Sequence, residues 1–129
     1  VINEDTDIRK VLVNVARFFA HESCGQCTQC REGTAWMHKI AQRIAAGAGR
    51  SEDLDILIEN SHNMGMMPGM SICGLPDGAA YPIRTIVEKY RDEFEEHIRR
   101  QEPANVERVL RKVNPAVYGV PIAGRTGGR

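Results

Sequence analysis

Apolar residues recur every three to four positions along most of the chain, the spacing of a helix face. Asp5 to Ala20 is the first such run. Ile8, Val11, Leu12, Val15, Phe18 and Phe19 form its stripe, and Arg9, Lys10, Asn14 and Arg17 lie off it. Asp5 or Thr6 is placed to cap its start. The second run begins near Thr28 and reaches Ala46. Trp36, Met37, Ile40 and Ile44 supply its apolar face, Lys39, Gln42 and Arg43 its other side, and Gly47-Ala-Gly-Arg50 stops it. Ser51, with Glu52 and Asp53 behind it, opens a third helix to about His62. Leu54, Leu57 and Ile58 are its buried side, with Ile56 off it.

Asn63 to Gly78 holds Gly65, Pro68, Gly69, Gly74, Pro76 and Gly78 and reads as a loop. The fourth and longest helix is predicted from Asp77 to about Arg100, with Pro82 in its first turn. Its core stripe is Ile83, Ile86, Val87, Tyr90, Phe94, His97 and Ile98. The acids and bases from Glu88 to Glu96 are largely its solvent face. Pro103 breaks the pattern, and a short helix follows from about Ala104 to Val113. From Asn114 the chain is Pro/Gly-rich, aperiodic and ends Arg-Thr-Gly-Gly-Arg, an extended arm ordered only against a partner. No strand pattern competes and no repeat appears. The expected fold is all-α, an antiparallel four-helix bundle over residues 1–102, with a short helix and tail over 103–129.

Composition narrows the function classes. A chain of 129 residues with 42% hydrophobic content fits one domain with an ordinary core. Lys+Arg and Asp+Glu are each 17, so there is no net basic charge to hold nucleic acid. No apolar run has the length of a membrane span, and no signal peptide opens the chain. The expectation is a protein of a reducing compartment, the cytoplasm or the mitochondrial matrix, with no direct membrane insertion. The first residue is Val1, so the chain reads as a processed form or as a piece of something larger.

The candidate chemistry lies between the first two helices. Glu22 to Gly33 contains Cys24, Cys27 and Cys30 in a C-x2-C-x2-C spacing, and Cys73 sits in the Gly/Met/Pro-rich loop. Three thiols in a compact run and one distant thiol are what a [4Fe-4S] cluster needs. Gly25 lets the turn approach closely without a Cβ. A second helix starting near Thr28 would aim its positive amino end at the cysteines and favour an anionic cluster. Structural zinc is the competing reading, although zinc sites more often pair two C-x2-C knuckles. Disulfides require an oxidising compartment and a loop-rich fold, and cysteines three apart pair poorly.

Longer stretches carry a resemblance. His21-Glu-Ser-Cys-Gly-Gln-Cys-Thr-Gln-Cys-Arg-Glu-Gly33, Ile72-Cys-Gly-Leu-Pro-Asp-Gly-Ala-Ala-Tyr-Pro82 and Tyr90-Arg-Asp-Glu-Phe-Glu-Glu-His-Ile98 resemble the family of flavin-binding, NADH-oxidising subunits of respiratory complex I. Related subunits occur in NAD-linked hydrogenases and formate dehydrogenases. The resemblance covers about residues 1–100. It implies a C-terminal helical domain with one [4Fe-4S] cluster on Cys24, Cys27, Cys30 and Cys73 at one end of the bundle. It also implies an oxidoreductase complex in which NADH reduces FMN and electrons pass singly through the cluster to further iron–sulfur centres. Gln29, Pro76 and Tyr81 depart from the residues usual in that family. The implied partners are a flavin- and NAD-binding segment and ferredoxin-like iron–sulfur subunits, on a complex peripheral to a membrane. The family's Gly-rich FMN and NAD segments have no equivalent in this sequence, so this chain alone is expected to bind neither.

Other residues have plainer readings. Met64, Met66, Met67 and Met70 read as filling for irregular gaps. Trp36 reads as core, and His38, His62 and His97 as structural or surface residues. His21 is a surface or capping residue or a hydrogen-bond partner of the cluster. Arg31 is a cation beside the cysteines, with Glu22 and Glu32 as competing partners. A zinc-stabilised helical interaction module without redox activity is the alternative function.

Overall fold

The computed structural model describes residues 3–65 and 69–112, and among them every regular element is a helix. In chain order these are α1 (Ile8–Glu22), α2 (Thr28–Ala45), α3 (Ser51–Met64), α4 (Leu75–Lys89), α5 (Arg91–Arg99) and α6 (Pro103–Lys112). The predicted tail from Asn114, the end of the predicted short helix at Val113, and Met66 and Met67 lie outside the described residues. Helix α1 packs on α2 and α4, α2 packs on α3, and α3 packs on α4. The four enclose Leu12, Met37, Ile44, Leu54, Leu57, Ile83, Val87 and Phe94, all at most 1% exposed. Each such side chain contributes about 1.5–3 kcal/mol of hydrophobic stabilisation. That outweighs the exposed ion pairs of the surface, at about 0–1 kcal/mol each.

Several expectations are corrected by local geometry. Asp7, not Asp5 or Thr6, caps α1, accepting from the Arg9 backbone N–H at 3.0 Å. The Arg9 guanidinium bonded to the same carboxylate holds the Asp7 pKa below its usual range. Met64 still belongs to α3, and the fourth helix starts at Leu75, so Pro76 occupies the first turn and Pro82 lies inside the helix. That helix does not run on to Arg100. Tyr90, at φ −112° and ψ 24°, divides it into α4 and α5. Just past this break, Arg91 reaches Asp55 of α3 at 2.8 Å.

Two aromatic residues expected in the core are outside it. Phe18 is 57% exposed and Trp36 49%. The buried line of α2 runs through Gly33, Thr34, Met37, Ala41 and Ile44, and on it Arg43 faces inward while Trp36 faces out. Small residues mark that line, and they carry little hydropathy signal. On α1, Phe19 packs among the partly buried residues and meets Phe18 edge-on at 5.1 Å between ring centroids. Ile56, read as off the buried side, is partly buried against the core.

The corner between α2 and α3 is built from polar groups. Arg43, 2% exposed, forms an ion pair with Asp53, which is fully buried. Asp53 also accepts from the Arg50 backbone N–H at 2.9 Å, so it caps α3 as well. Three side chains farther along the chain hold the carbonyls of this corner. His97 Nε2 lies 3.0 Å from the Ile44 oxygen, Gln101 donates to Gly49 at 3.1 Å, and Asn105 to Ala46 at 3.2 Å. Arg9 Nη1 lies 2.7 Å from His97 Nδ1. Arginine only donates, so Nδ1 accepts and Nε2 carries the proton given to Ile44. The imidazole ties α1 to the end of α2.

Gly65 closes the other end of α3. A Cβ there would stand 2.9 Å from the Pro76 carbonyl oxygen and 3.0 Å from the Asp77 nitrogen. Only a residue without a side chain lets α3 end against the start of α4.

Asp53→Ala is expected to destabilise the fold by about 3–5 kcal/mol, because it removes one partner of a buried ion pair. Arg50→Ala, which removes a half-exposed guanidinium 3.6 Å away, costs far less. Urea unfolding of the two variants checks the ordering. His38 supplies a pH dependence. Its Nε2 is buried without a hydrogen-bond partner among the described residues. Burial first, then the charges of Arg17 and Lys39, lower its pKa from the ordinary 6.5. The unfolded chain therefore takes up this proton at higher pH than the folded one. The contribution is intact above pH 6.5 and is lost as pH falls through the depressed value. His38→Gln should flatten that limb of a pH series of urea midpoints.

Candidate metal centre

Four helix ends meet at the pole opposite the Arg43–Asp53 corner, the carboxyl ends of α1 and α3 and the amino ends of α2 and α4. Helix α1 delivers the chain to Ser23, whose backbone N–H closes the helix on Phe19 O at 3.1 Å. Cys24 follows and is exposed. Gly25 then turns the backbone at φ +82°, a conformation that L side chains rarely adopt. Cys27, half-buried, is the N-cap of α2, with φ −87° and ψ 124°. It offers no side-chain cap, so the first-turn amides of α2 are left to face the cysteine run. One turn into α2, Cys30 is buried at 6% exposure. The Thr34 hydroxyl holds its carbonyl at 2.7 Å.

The fourth cysteine arrives on the segment before α4. Cys73 is exposed, and Gly74 behind it is the N-cap of α4, again without a side-chain cap. Two hydrogen bonds join this segment to the cysteine run. Ile72 N–H points to Cys27 Sγ at 3.5 Å, and the Gln29 amide donates to the Met70 carbonyl. The pole thus gathers the amino ends of α2 and α4 and the carboxyl ends of α1 and α3. Arg31 spans the turn, donating to Gly25 O at 2.6 Å and to Glu32 at 3.0 Å, while Glu22 is 3.2 Å from His21. Ser23 Oγ lies 3.3 Å from Cys30 Sγ. Ile72, 78% exposed, Tyr81 and Met70 give the pole an apolar rim.

All four thiols are free. Among the described residues, no three Cys, His, Asp or Glu side chains stand together as a closed metal-holding group. The structure brings the Cys73 segment to Cys27 and leaves Cys24 at the surface. The donor set itself suits an iron–sulfur cluster: four uncommitted thiols on two segments in hydrogen-bond contact, and two uncapped helix amino ends to offset negative charge. Sequence reasoning does not single out Ser23, Gln29 or Thr34 for this role. Only their nearness to the cysteines, next to Cys24, next to Cys30 and one helical turn after Cys30, could mark them.

A helical domain with this three-plus-one cysteine pattern defines a class, and comparison with known proteins supplies the family. Residues 10–97 match the NADH-ubiquinone oxidoreductase-F iron-sulfur binding region, and the chain belongs to this family. It is 41% identical over 99 residues to the NADH-quinone oxidoreductase F subunit of Rhodobacter capsulatus, covering 77% of this chain and 22% of that protein. It is 37% identical over 99 residues to the mitochondrial NADH dehydrogenase [ubiquinone] flavoprotein 1 of Dictyostelium discoideum, covering 77% and 20%. With the NADH-quinone oxidoreductase F subunit of Rickettsia bellii (strain OSU 85-389) it shares 39% over 98 residues, 76% of this chain and 23% of that one. The chain thus spans about a fifth of the length of these relatives. Among the described residues, no helix is long and apolar enough to cross a membrane.

Removing the Gln29 amide should release the Cys73 segment. In Gln29→Ala, hydrogen exchange at the Ile72 amide is expected to quicken while the amides of α3 keep their protection. Unchanged exchange at Ile72 would show that the Gln29–Met70 bond does not hold the two segments together.

Proposed function

We propose that this chain holds one [4Fe-4S] cluster on Cys24, Cys27, Cys30 and Cys73 and serves as an electron relay in an NADH-dependent oxidoreductase complex. The observation that carries the reading is the Ile72 N–H to Cys27 Sγ contact at 3.5 Å, which seats the distant cysteine segment on the C-x2-C-x2-C turn. The bound cluster supplies outer-sphere transfer of one electron at a time. The chain's own residues do the rest. Gly25 and the Cys27 N-cap fold the thiol-bearing turn, and the Gln29–Met70 bond holds Cys73 against it. The uncapped amides of α2 and α4 offset added negative charge, and the buried α2–α3 corner keeps the turn in place. No general base or nucleophile is required of any side chain.

The electrons come, in this reading, from a flavin reduced by NADH on another segment or polypeptide, and they leave to ferredoxin-like iron–sulfur subunits. The names of the relatives support that setting, as does the apolar rim of Ile72, Met70 and Tyr81 at the thiol pole. A position on the cytoplasmic or matrix side of a membrane-bound complex follows from the same setting.

The test is iron, zinc and acid-labile sulfide content of the chain purified anaerobically with its natural partners, followed by EPR after dithionite reduction. About four iron and four sulfide per chain with a reduced-cluster signal are expected. One zinc with no sulfide would replace the relay with a zinc-stabilised interaction module. Cys73→Ser should lower the iron count and slow reduction of the downstream acceptor at least tenfold. A normal rate in that complex would sink the relay reading.

A further inference from the structure

We infer that the Ser23 hydroxyl is a hydrogen-bond donor to the Cys30 sulfur and sets the reduction potential of the cluster. The inference rests on the cluster reading and deepens it. Ser23 Oγ stands 3.3 Å from Cys30 Sγ, within the range of a hydrogen bond to sulfur. Either atom can donate while Cys30 is a thiol. Once Cys30 is a metal-bound thiolate it has no proton, so the hydroxyl must be the donor.

The setting gives this contact more weight than a surface hydrogen bond. Cys30 is the one buried cysteine of the four, at 6% exposure, whereas Cys24 and Cys73 are exposed and Cys27 is half-buried. Water can solvate the sulfurs of the exposed pair, while Cys30 depends on what the protein places beside it. In such low-dielectric surroundings a donor to an anionic sulfur is worth more than it is in water. The position of Ser23 does not depend on its side chain, because its backbone N–H is fixed to Phe19 O at 3.1 Å. Thr34 likewise fixes Cys30 through its carbonyl, leaving the sulfur free for Ser23.

The sign follows from charge. Reduction adds one electron to the cluster and raises the electron density on its thiolate sulfurs. A donated hydrogen bond stabilises the richer sulfur more, so it favours the reduced state and raises the potential. Ser23→Ala keeps the backbone cap and removes only the donor. Ser23→Thr keeps the donor.

The experiment is an EPR-monitored redox titration of the chain in its complex, for wild type, Ser23→Ala and Ser23→Thr, with iron and sulfide counted in each sample. Ser23→Ala is expected to retain both counts and to show about a tenfold lower reduced-to-oxidised ratio at fixed ambient potential. For a one-electron couple that is a downward shift of about 59 mV. Ser23→Thr should titrate near wild type. Should Ser23→Ala fail to retain the cluster, Ser23→Val against Ser23→Thr repeats the comparison at matched volume, with Val expected lower. Equal potentials with and without the hydroxyl, at intact iron and sulfide counts, overturn the Ser23 inference and leave the relay reading standing. Wild-type protein with zinc and no sulfide removes both, at the metal count and before any titration.

Discussion

The buried ion pair between Arg43 and Asp53 is the constraint on which the rest of the arrangement leans. Taking two opposite charges out of water costs several kcal/mol per ion, so such a pair persists only where further hydrogen bonds complete it. Here they are present. The Asp53 carboxylate also accepts the Arg50 backbone N–H, and the exposed Arg50 guanidinium stands nearby. The pair locks α3 to the last turns of α2. His97, Gln101 and Asn105 then occupy the carbonyls of the same corner. With one end of α2 fixed this way, its other end, about 27 Å away at about 1.5 Å per residue, is fixed too. That other end carries the cysteines.

The thiol pole is built on the opposite principle. It has few buried polar contacts and much exposed surface, and its segments are joined by two hydrogen bonds rather than by packing. The Gly65 crossing supplies what rigidity there is, by bringing the end of α3 against the first turn of α4 and so setting where Cys73 starts. Helix ends do the electrostatic work. The amino ends of α2 and α4, neither capped by a side chain, face the cysteine segments and can offset negative charge there, while the carboxyl ends of α1 and α3 lie at the same pole. A stiff distal corner and an open thiol pole suit a site that must exchange something with a partner without rearranging.

The four principal helices are legible in the sequence because their apolar stripes are long and periodic, and the cysteine turn because its spacing is unusual. What escapes shows where periodicity stops being informative. Arg43 reads with the polar side because charge normally marks solvent, and its buried partner Asp53 lies ten residues on, outside any helical repeat. Trp36 and Phe18 read as inside because of their hydropathy. Yet Gly33 and Ala41 define the crossing of α2, and Ala16 lies on the buried line of α1. The break at Tyr90 has no glycine or proline to announce it. The fully buried Phe94 beyond it keeps the stripe continuous across the break. The joining of Ile72 to Cys27 is a tertiary contact that no local pattern encodes, although the ligand set implied by the family resemblance requires the two segments to meet.

The three-plus-one division of the cysteines has a consequence for chain entropy. Drawing Cys73 to Cys30 in an unstructured chain would cost roughly 3 kcal/mol of loop-closure entropy at this sequence separation. The α2–α3 hairpin and the Gly65 crossing make that closure during folding, with hydrophobic burial as the driving force. A metal centre bound at this pole, as proposed above, would meet a chain whose distant segment has already been brought back to the cysteine turn. Its binding energy would then go more into drawing the thiols together than into closing the long loop, unlike small metal domains that fold only around their ion.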